Sequence, residues 1–284
     1  MIPKAYHSPG YTKKQIGADI GASLAKFAIR SSDGTTTYRA VPTQAIEQLA
    51  HEVESLAPDR ISFTGGGAAR LARLLGFDTA PVCEFAAWAA GAAELLRRDG
   101  LAAKERFLLV SLGTGTSACL IGPGSPVRLG GTAIGGGTLV GLGAALLDTP
   151  QYDELCRLAG QGNRRSVDLL VSDVYAENQL PLPGDVTAAS FAKLAQPSSG
   201  EPPPARDVAH AIMGMVGENV GLICFGLAAL AGVTQVVFGG STLRDNPVLV
   251  EILRGIGASM GCDAVFPSRG EYAGALGALE LCGD

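Results

Sequence analysis

Two glycine-rich turns, each between segments that favour β-strand, constrain the fold of this chain most strongly. The first is DIGASLAK at residues 19–26, and the second is SLGTGTS at residues 111–117. Each turn separates short apolar runs, as expected for two antiparallel strands joined by a tight connection. Glycine and hydroxyl residues at such a turn allow main-chain N–H groups to converge on anionic oxygens. The sequence therefore indicates two similar halves, each with a candidate phosphate-binding loop.

The order of strands and turns restarts near Arg106, where RFLLVSLGTGTSACLIGPGSPVRLGG again alternates strand and glycine-rich turn. This restart predicts an internal duplication of architecture. We expect a loose tail at 1–14, an N-terminal half at 15–105 and a C-terminal half at 106–284. Strands and helices mix in both halves, which indicates an α/β fold.

Further elements follow from periodicity and turn residues. The apolar spacing of SVDLLVSDVYA and TAASFAKLA predicts helices at 166–176 and 187–195, and a long helix is expected at about 207–231. QPSSGEPPPARD, at 196–207, has the composition of a surface loop.

Composition argues against several classes of partner. The net charge of the 284 residues is −5, and no run of Lys or Arg is longer than a pair, so nucleic acid is not an expected partner. The apolar segment 220–233 has fourteen residues, fewer than the roughly 18–20 that span a bilayer. We therefore expect a buried helix there and no membrane partner. The six cysteines are scattered without a C-x-x-C pair, which is typical of reduced thiols, mostly in the core, of a cytoplasmic protein.

Common catalytic motifs do not match. No glycine-rich run ends in Gly-Lys-Ser/Thr, and no G-x-G-x-x-G follows a strand and opens a helix. GASMG at 257–261 fits G-x-S-x-G, but a nucleophile elbow expects the histidine after the serine, and all three histidines precede Ser259. A hydrolase is therefore disfavoured, and GASMG is interpreted as a small-residue helix end.

Two further glycine clusters, GGTAIGGGT (130–138) and FGGS (238–241), accompany the two turns. Together the four resemble the layout of the acetate and sugar kinase, Hsp70 and actin superfamily. Within it the chain resembles the type II pantothenate kinases from Gln15 to its end. The matching segments are DIGASLAK, TGGGA, EFAAWAAG, LGTGTS, RLGGTAIGGGTLVGLG, VDLLVSDVY, PGDVTAASFAK, VVFGGSTLRDN and YAGALGALEL.

The resemblance implies a two-lobed actin-like fold with duplicated mixed-sheet halves and an ATP cleft between them. It also implies ATP and Mg²⁺ as cofactors, phosphorylation of pantothenate, a homodimer with 220–233 as a contact helix, and acyl-CoA as a possible inhibitor.

Three charged residues are candidates for the chemistry of phosphoryl transfer. Asp19 suits Mg²⁺, a hard cation that binds carboxylate and water, or it is a turn-forming aspartate. Lys26 offers a point charge to the β- or γ-phosphate, or it is an ordinary exposed lysine. Glu84 resembles the catalytic base of the family, where partial burial raises the pKa of a carboxyl; otherwise it is an acidic residue at a helix N-terminus.

The nucleotide-binding residues that the resemblance implies are glycines and hydroxyl residues of the four clusters with Lys26. They are Gly21, Ser23, Lys26, Gly113, Gly115, Thr116, Gly135, Gly136, Gly137, Gly239 and Gly240. The helix that begins near Thr138 is expected to offer N–H groups to phosphate. Helix packing is the alternative explanation of the glycines at 130–137.

The resemblance also places Thr114, Arg128 and Gly130 against the substrate. The planar guanidinium of Arg128 can bind hydroxyl or carbonyl oxygens.

The sequence departs from the family at three places. Ala22 stands where the family has glycine, and its methyl group is expected to crowd the phosphate or to require a negative φ. Ser111 replaces Asn or Asp, and Ile256–Ala258 replaces a region with a pocket-closing aromatic residue. A wider pocket favours a relative of pantothenate such as pantetheine as an alternative substrate. The altered loops leave open a regulatory homologue that binds nucleotide or acyl-CoA with weak catalysis.

Overall fold

The structure is a computed structural model that describes residues 14–43, 46–77, 80–176, 179, 183–195 and 201–282. The chain divides into two compact units. The first contains the residues up to Arg98 and those from Tyr272 onward, and the second spans Asp99–Glu271.

The strands are Gln15–Ile20 (β1), Leu24–Arg30 (β2), Thr36–Pro42 (β3), Arg60–Thr64 (β4), Phe107–Leu112 (β5), Thr116–Ile121 (β6), Val127–Thr132 (β7), Leu169–Leu170 (β8), Thr187–Ala189 (β9), Gln235–Gly239 (β10) and Asp263–Val265 (β11). The α-helices are Ile46–Leu56 (α1), Ala68–Leu74 (α2), Glu84–Arg98 (α3), Gly136–Leu147 (α4), Tyr152–Ala159 (α5), Val171–Val174 (α6), Ala205–Leu230 (α7), Pro247–Ser259 (α8) and Ala273–Glu280 (α9).

The first unit contains a four-stranded sheet in the order β3-β2-β1-β4. β1 is antiparallel to β2 and parallel to β4. Side chains alternate along β1, so Ile16 and Ile20 enter the core that Leu49 of α1 and Leu71 of α2 complete. Gly17 faces the opposite side of the sheet, where α9 packs.

Three glycines allow α9 to approach β1 and α3 at backbone distance. A Cβ atom on Gly17 would lie 2.0 Å from the Ala275 carbonyl oxygen, and one on Gly91 would lie 1.8 Å from that of Ala273. A Cβ atom on Gly277 would lie 1.7 Å from the carbonyl oxygen of Ala87 in α3. The last helix therefore packs in the first unit, whereas the sequence-based division placed it in the half 106–284. The division between units falls after Arg98 instead of after residue 105.

The second unit contains a five-stranded sheet in the order β11-β10-β5-β6-β7. β5 is antiparallel to β6 and parallel to β10, which is the arrangement of β1 with β2 and β4. The predicted duplication of a mixed sheet is therefore confirmed.

The long helix α7 packs against α4, α5 and α8 in the core of the second unit. By length and composition alone α7 could cross a membrane, but most of its apolar window is buried, as in the core helix of a soluble protein. Val216, Val220 and Cys224 are fully buried. The buried helix predicted at 220–233 is therefore confirmed in part, because α7 ends at Leu230 and Leu222, Ile223 and Leu230 are exposed.

The helices predicted at 166–176 and 187–195 are largely wrong. β8 and β9 form a two-stranded antiparallel sheet, and α6 keeps only one helical turn. Phe191 has a φ of +60°, and its N–H donates to Asp168 Oδ1 over 2.8 Å. A left-handed residue interrupts a helix, so this tertiary bond overrides the helical spacing of TAASFAKLA.

Most of the predicted tail and part of the predicted loop, residues 1–13 and 196–200, lie outside the described residues. Lys14 is described, and its main-chain N–H donates to Asp59 Oδ2 over 2.7 Å. The first unit therefore includes the final residue of the predicted tail. The predicted loop also ends earlier, because α7 begins at Ala205.

All six cysteines are described, and all are free thiols. Cys119, Cys156 and Cys224 are buried, whereas Cys83 is exposed. The prediction of reduced thiols agrees with this arrangement, although only half of them are core residues.

Candidate active site

The first hairpin brings Asp19 and Lys26 side by side. The two residues are partners in the antiparallel register of β1 and β2, and Lys26 Nζ lies 3.6 Å from Asp19 Oδ2. Burial raises the pKa of Asp19, and the positive charge of Lys26 opposes this rise. Asp19 is only 5% exposed, so it is a buried carboxylate beside a cation and not a turn residue.

Glu84 joins this pair from the first position of α3. Burial raises the pKa of Glu84, the negative charge of Asp19 raises it further, and Lys26 lowers it. The three side chains are therefore electrostatic neighbours, although Glu84 is distant from the others in sequence. A half-buried carboxylate with a raised pKa is suited to accept a proton near neutral pH.

The chain that enters α3 is attached to β4 next to Asp19. The Val82 N–H donates to the Phe63 carbonyl over 2.7 Å, and Thr64 Oγ1 donates to the Val82 carbonyl over 3.0 Å. Thr64 is fully buried and pairs with Asp19 across β1 and β4. Thr64 thus fixes the segment before Glu84 relative to Asp19. The sequence motif TGGGA contains this threonine, but the sequence alone assigned it no role.

The donors of this group fit a magnesium ion. Mg²⁺ is usually held by one or two carboxylates, water and substrate phosphates. Asp19 supplies one buried carboxylate for such an ion. The residues therefore match an ion shared with a phosphate ligand.

The first turn, between β1 and β2, is a simple connection. Gly21 N–H donates to the Leu24 carbonyl over 3.1 Å. Thr43 Oγ1 donates to the Gly21 carbonyl, and Thr43 N–H donates to the Ser23 carbonyl, each over 3.0 Å. Ala22 and Ser23 are exposed, and Ala22 does not have a positive φ. The methyl group of Ala22 therefore causes no backbone strain.

The second turn, residues 113–115, is packed against the start of α4. The N–H groups of Gly136 and Gly137 donate to the carbonyls of Gly113 and Thr114, over 2.8 and 3.0 Å. A Cβ atom on Gly135 would lie 2.8 Å from Gly115 Cα, and one on Gly136 would lie 2.5 Å from Thr242 Oγ1. The glycines are therefore required for close packing.

This packing revises one expectation about the start of α4. The N–H groups of Gly136 and Gly137 are donated inside the fold, so they hold the turn and do not point to a phosphate. Gly135 N–H likewise donates to Thr138 Oγ1 over 3.2 Å. The role of Gly135, Gly136 and Gly137 in nucleotide binding stays a prediction. In that role they would support the second turn and would not donate N–H groups to the phosphate.

The fourth glycine cluster, FGGS at 238–241, joins the same group. Thr242 Oγ1 donates to the Gly113 carbonyl over 2.7 Å, and Thr116 Oγ1 donates to the Ile134 carbonyl over 2.8 Å. Gly240 has a φ of +108°, and its Cβ would lie 2.3 Å from the Leu112 carbonyl oxygen. Segments 111–116, 134–138 and 239–242 thus form one glycine-rich cluster.

A cavity of about 240 Å³ opens beside this cluster. Its lining includes the predicted residues Gly239 and Gly240 and several side chains to which the sequence assigned no role. Those side chains include Phe238, Arg244, Phe266, Arg269 and Glu271. The rings of Phe238 and Phe266 are stacked with centroids 5.2 Å apart. A lining that combines apolar and charged residues is typical of a small-molecule pocket.

The predicted substrate residues Arg128 and Gly130 lie on β7, and Thr114 is exposed at the second turn. Arg128 pairs with Cys119, Gly130 pairs with Ala118, and Leu129 forms a bulge between them. Gly130 faces α7, because a Cβ there would lie 3.3 Å from Leu227. Arg128 lies on the opposite face, because its partner Cys119 is adjacent to Ala118 in β6 and adjacent residues of a strand face opposite sides. Its side chain is exposed.

Of the three residues at 256–258, two face α7. The Ile256 side chain packs against Gly221, and a Cβ on Gly257 would lie 2.9 Å from the Phe225 ring. Ala258 is exposed. Of these three residues, only Ala258 has an outward-facing side chain. The predicted widening of the substrate pocket at 256–258 therefore depends on Ala258.

Comparison with known proteins gives consistent results. Residues 102–280 match the Fumble family. The type II pantothenate kinase of Oceanobacillus iheyensis is 33% identical over 94% of this chain and 98% of the relative. The type II pantothenate kinase of Staphylococcus aureus (strain bovine RF122 / ET3-1) is 30% identical over 94% of this chain and 99% of the relative.

Two solved structures have the same fold at low identity. The activator of the 2-hydroxyisocaproyl-CoA dehydratase from Clostridium difficile, with bound ADPNP, has a TM-score of 0.61 and 17% identity over 95% of this chain and 94% of its own. A ROK family glucokinase from Streptomyces griseus, in complex with glucose and AMPPNP, has a TM-score of 0.59 and 15% identity over 95% of this chain and 99% of its own. The predicted actin-like kinase fold is confirmed.

Proposed function

The chain belongs to the type II pantothenate kinase family, and we propose that it transfers the γ-phosphoryl group of ATP to the terminal hydroxyl of pantothenate. This reaction begins coenzyme A biosynthesis. The observation that supports it best is the grouping of Asp19, Lys26 and Glu84 in the first unit.

Glu84 acts as the general base. As the hydroxyl oxygen of the substrate bonds to the γ-phosphorus, its proton passes to the Glu84 carboxylate, and the bond from the γ-phosphorus to the β–γ bridging oxygen breaks to release ADP. Lys26 places a positive charge near the phosphate oxygens that gain negative charge. Asp19, with Glu84 nearby, holds Mg²⁺, which when bound neutralises phosphate charge.

The glycine-rich cluster of the second unit holds the nucleotide. Gly113, Gly115 and Thr116 present the second turn to phosphate. In the first unit, Gly21 and Ser23 are the residues of the first turn with the same role. The cavity beside Gly239 and Gly240 accepts the adenosine part, since it combines apolar walls with charged groups.

Arg128 and Thr114 contact the pantothenate with their side chains, and Gly130 contributes only main chain, because its Cβ position faces α7. The bulge at Leu129 supports this role for Arg128, because bulges near active sites redirect neighbouring side chains. The guanidinium then binds the carbonyl or hydroxyl oxygens of the substrate.

The protein acts as a cytoplasmic homodimer. Leu222, Ile223 and Leu230 of α7 are exposed apolar residues and suit contact with a second copy. Light scattering at micromolar concentration tests this, and a monomer would overturn it. Inhibition by acyl-CoA is tested by adding acetyl-CoA to the kinase assay, and an unchanged rate would exclude it.

The deciding experiment measures ADP release from Mg-ATP with pantothenate or pantetheine, with product identification by mass spectrometry. We expect pantothenate to give phosphopantothenate and to have the higher kcat/KM. A higher kcat/KM for pantetheine would make the larger substrate the natural one. ATP binding without turnover of either compound would overturn the kinase proposal and favour a regulatory homologue.

A further inference from the structure

The carboxylate of Asp19 lies between two glycines from distant parts of the chain. A Cβ atom on Gly65 would lie 2.7 Å from Asp19 Oδ1. A Cβ atom on Gly274 would lie 2.6 Å from Asp19 Oδ2. Each distance is too short for a carbon atom, so either methyl group would displace the carboxylate.

Gly274 differs from Gly17, Gly91 and Gly277, the glycines at the contacts of α9 with β1 and α3. At Gly17, Gly91 and Gly277 an added Cβ would collide first with backbone atoms of a neighbouring element. At Gly274 the nearest atoms are Asp19 Oδ2, Asp19 Cγ and, at 3.1 Å, Trp88 Cδ1. Gly274 therefore leaves space for one carboxylate and one indole ring.

The backbone does not require glycine at residue 274. It lies in the first turn of α9 without a positive φ. Alanine inside a helix is favoured over glycine by about 1 kcal/mol. Glycine at residue 274 therefore costs helix propensity, and in return the lack of a side chain leaves space for the Asp19 carboxylate.

We propose that Gly274, facing Gly65 across Asp19 and adjoining Trp88, is a positioning residue that holds the Asp19 carboxylate in its metal-binding orientation. This inference rests on the proposed function, in which Asp19 binds the metal. Gly274 acts through Asp19, because its added methyl group would meet Oδ2, the oxygen that faces Lys26.

The test measures binding of Mn²⁺, as a paramagnetic substitute for Mg²⁺, to the full chain with AMPPNP by electron paramagnetic resonance. We expect Gly274→Ala to raise the Mn²⁺ concentration for half-saturation about tenfold, corresponding to about 1.4 kcal/mol. Fluorescence of Trp88, the sole tryptophan of the chain, gives a second titration that also needs no catalysis.

The matched control is Gly255→Ala. Gly255 also lies inside a helix, α8, and an added Cβ there would meet nothing within 4 Å. We expect it to bind Mn²⁺ like the wild type.

A double-mutant cycle with Asp19→Asn identifies the route of the effect. If Gly274 acts through Asp19, adding Gly274→Ala to Asp19→Asn causes no further loss of Mn²⁺ binding. A further tenfold loss would overturn the positioning role.

Two other results would also overturn it, and they are distinguishable. If Asp19→Asn weakens Mn²⁺ binding but Gly274→Ala does not, the positioning role fails while the metal role of Asp19 stands. If Asp19→Asn binds Mn²⁺ normally, the metal role fails and the positioning role fails with it. Should Gly274→Ala not fold, the double variant Asp19→Ala/Gly274→Ala removes the carboxylate that the methyl group meets. We expect this double variant to fold, and its failure to fold would overturn the proposal.

Discussion

The two glycine-rich turns look alike in sequence but differ in structure. The turn at 21–23 is an exposed connection held by Thr43, and the charged side chains lie on its flanking strands and on α3. The turn at 113–115 is packed under the start of α4 and bonded to Thr242. The first region thus provides charged side chains, and the second provides closely packed backbone.

This difference shows that the glycines have two separate uses. Around Asp19 they leave space for one side chain, whereas at residues 135–137 they allow two main-chain segments to touch. Substitutions in the first region are therefore expected to affect the chemical step, and substitutions in the second to affect nucleotide binding.

The largest expected effect is that of Glu84→Gln in the first region. Loss of a general base typically lowers kcat about 10²–10⁴-fold, and binding of AMPPNP should be retained. Steady-state kinetics and a binding titration check this.

The matched control is Glu94→Gln in the same helix. Glu94 bonds Arg97 and Arg98 and no group of the site, so its activity should equal that of the wild type. Equal losses in both variants would show that α3 is disturbed and that Glu84 has no special role.

The next effect is that of Gly136→Ala in the second region. Its methyl group would lie 2.5 Å from Thr242 Oγ1, and overpacking of this kind costs about 1–3 kcal/mol. We expect the KM for ATP to rise about tenfold, since 1.4 kcal/mol corresponds to that factor. Gly141→Ala in α4 meets nothing within 4 Å and should leave the KM unchanged. Equal KM values for the two variants would refute the packing role.

A smaller effect is expected for Thr64→Val. The variant leaves the carbonyl of Val82 without its 3.0 Å bond, which costs about 1–3 kcal/mol of stability. Displacement of Glu84 should then lower kcat about tenfold with little change in KM, because small misplacements weaken catalysis strongly. Thr64→Ser keeps the hydroxyl and should keep most of kcat. Similar kcat values for Val and Ser would contradict the role of the bond.

The smallest effect is expected for Ala22→Gly. Ala22 is exposed without a positive φ, so the change amounts to backbone entropy of about 0.5–1 kcal/mol, and the KM for ATP should change less than about threefold. A tenfold gain in ATP affinity would show instead that the methyl group crowds the phosphate.

The sequence predicted much of the local structure. Both hairpins, the α/β class and the duplicated sheets followed from short apolar runs and glycine turns. Gly76, with a φ of +73°, follows the end of α2, and the side chain of Asn246 accepts the Leu249 N–H at the start of α8; these are the usual roles of glycine after a helix and of asparagine before one. Helical spacing failed at 187–195, where a contact from Asp168 determines the backbone.

Only the tertiary structure decided which distant residues meet. Residue types near the first turn indicated Asp19 and Lys26, and the family resemblance indicated Glu84. Their grouping depends on the pairing of β1 with β4 and on the bond between Thr64 and Val82. Likewise, α9 returns to the first unit, and Gly274 reaches Asp19 across about 250 residues of sequence, since chain reversals bring remote segments together. Local patterns report the conformation of neighbouring residues, whereas a site is formed by packing between segments that no local pattern relates.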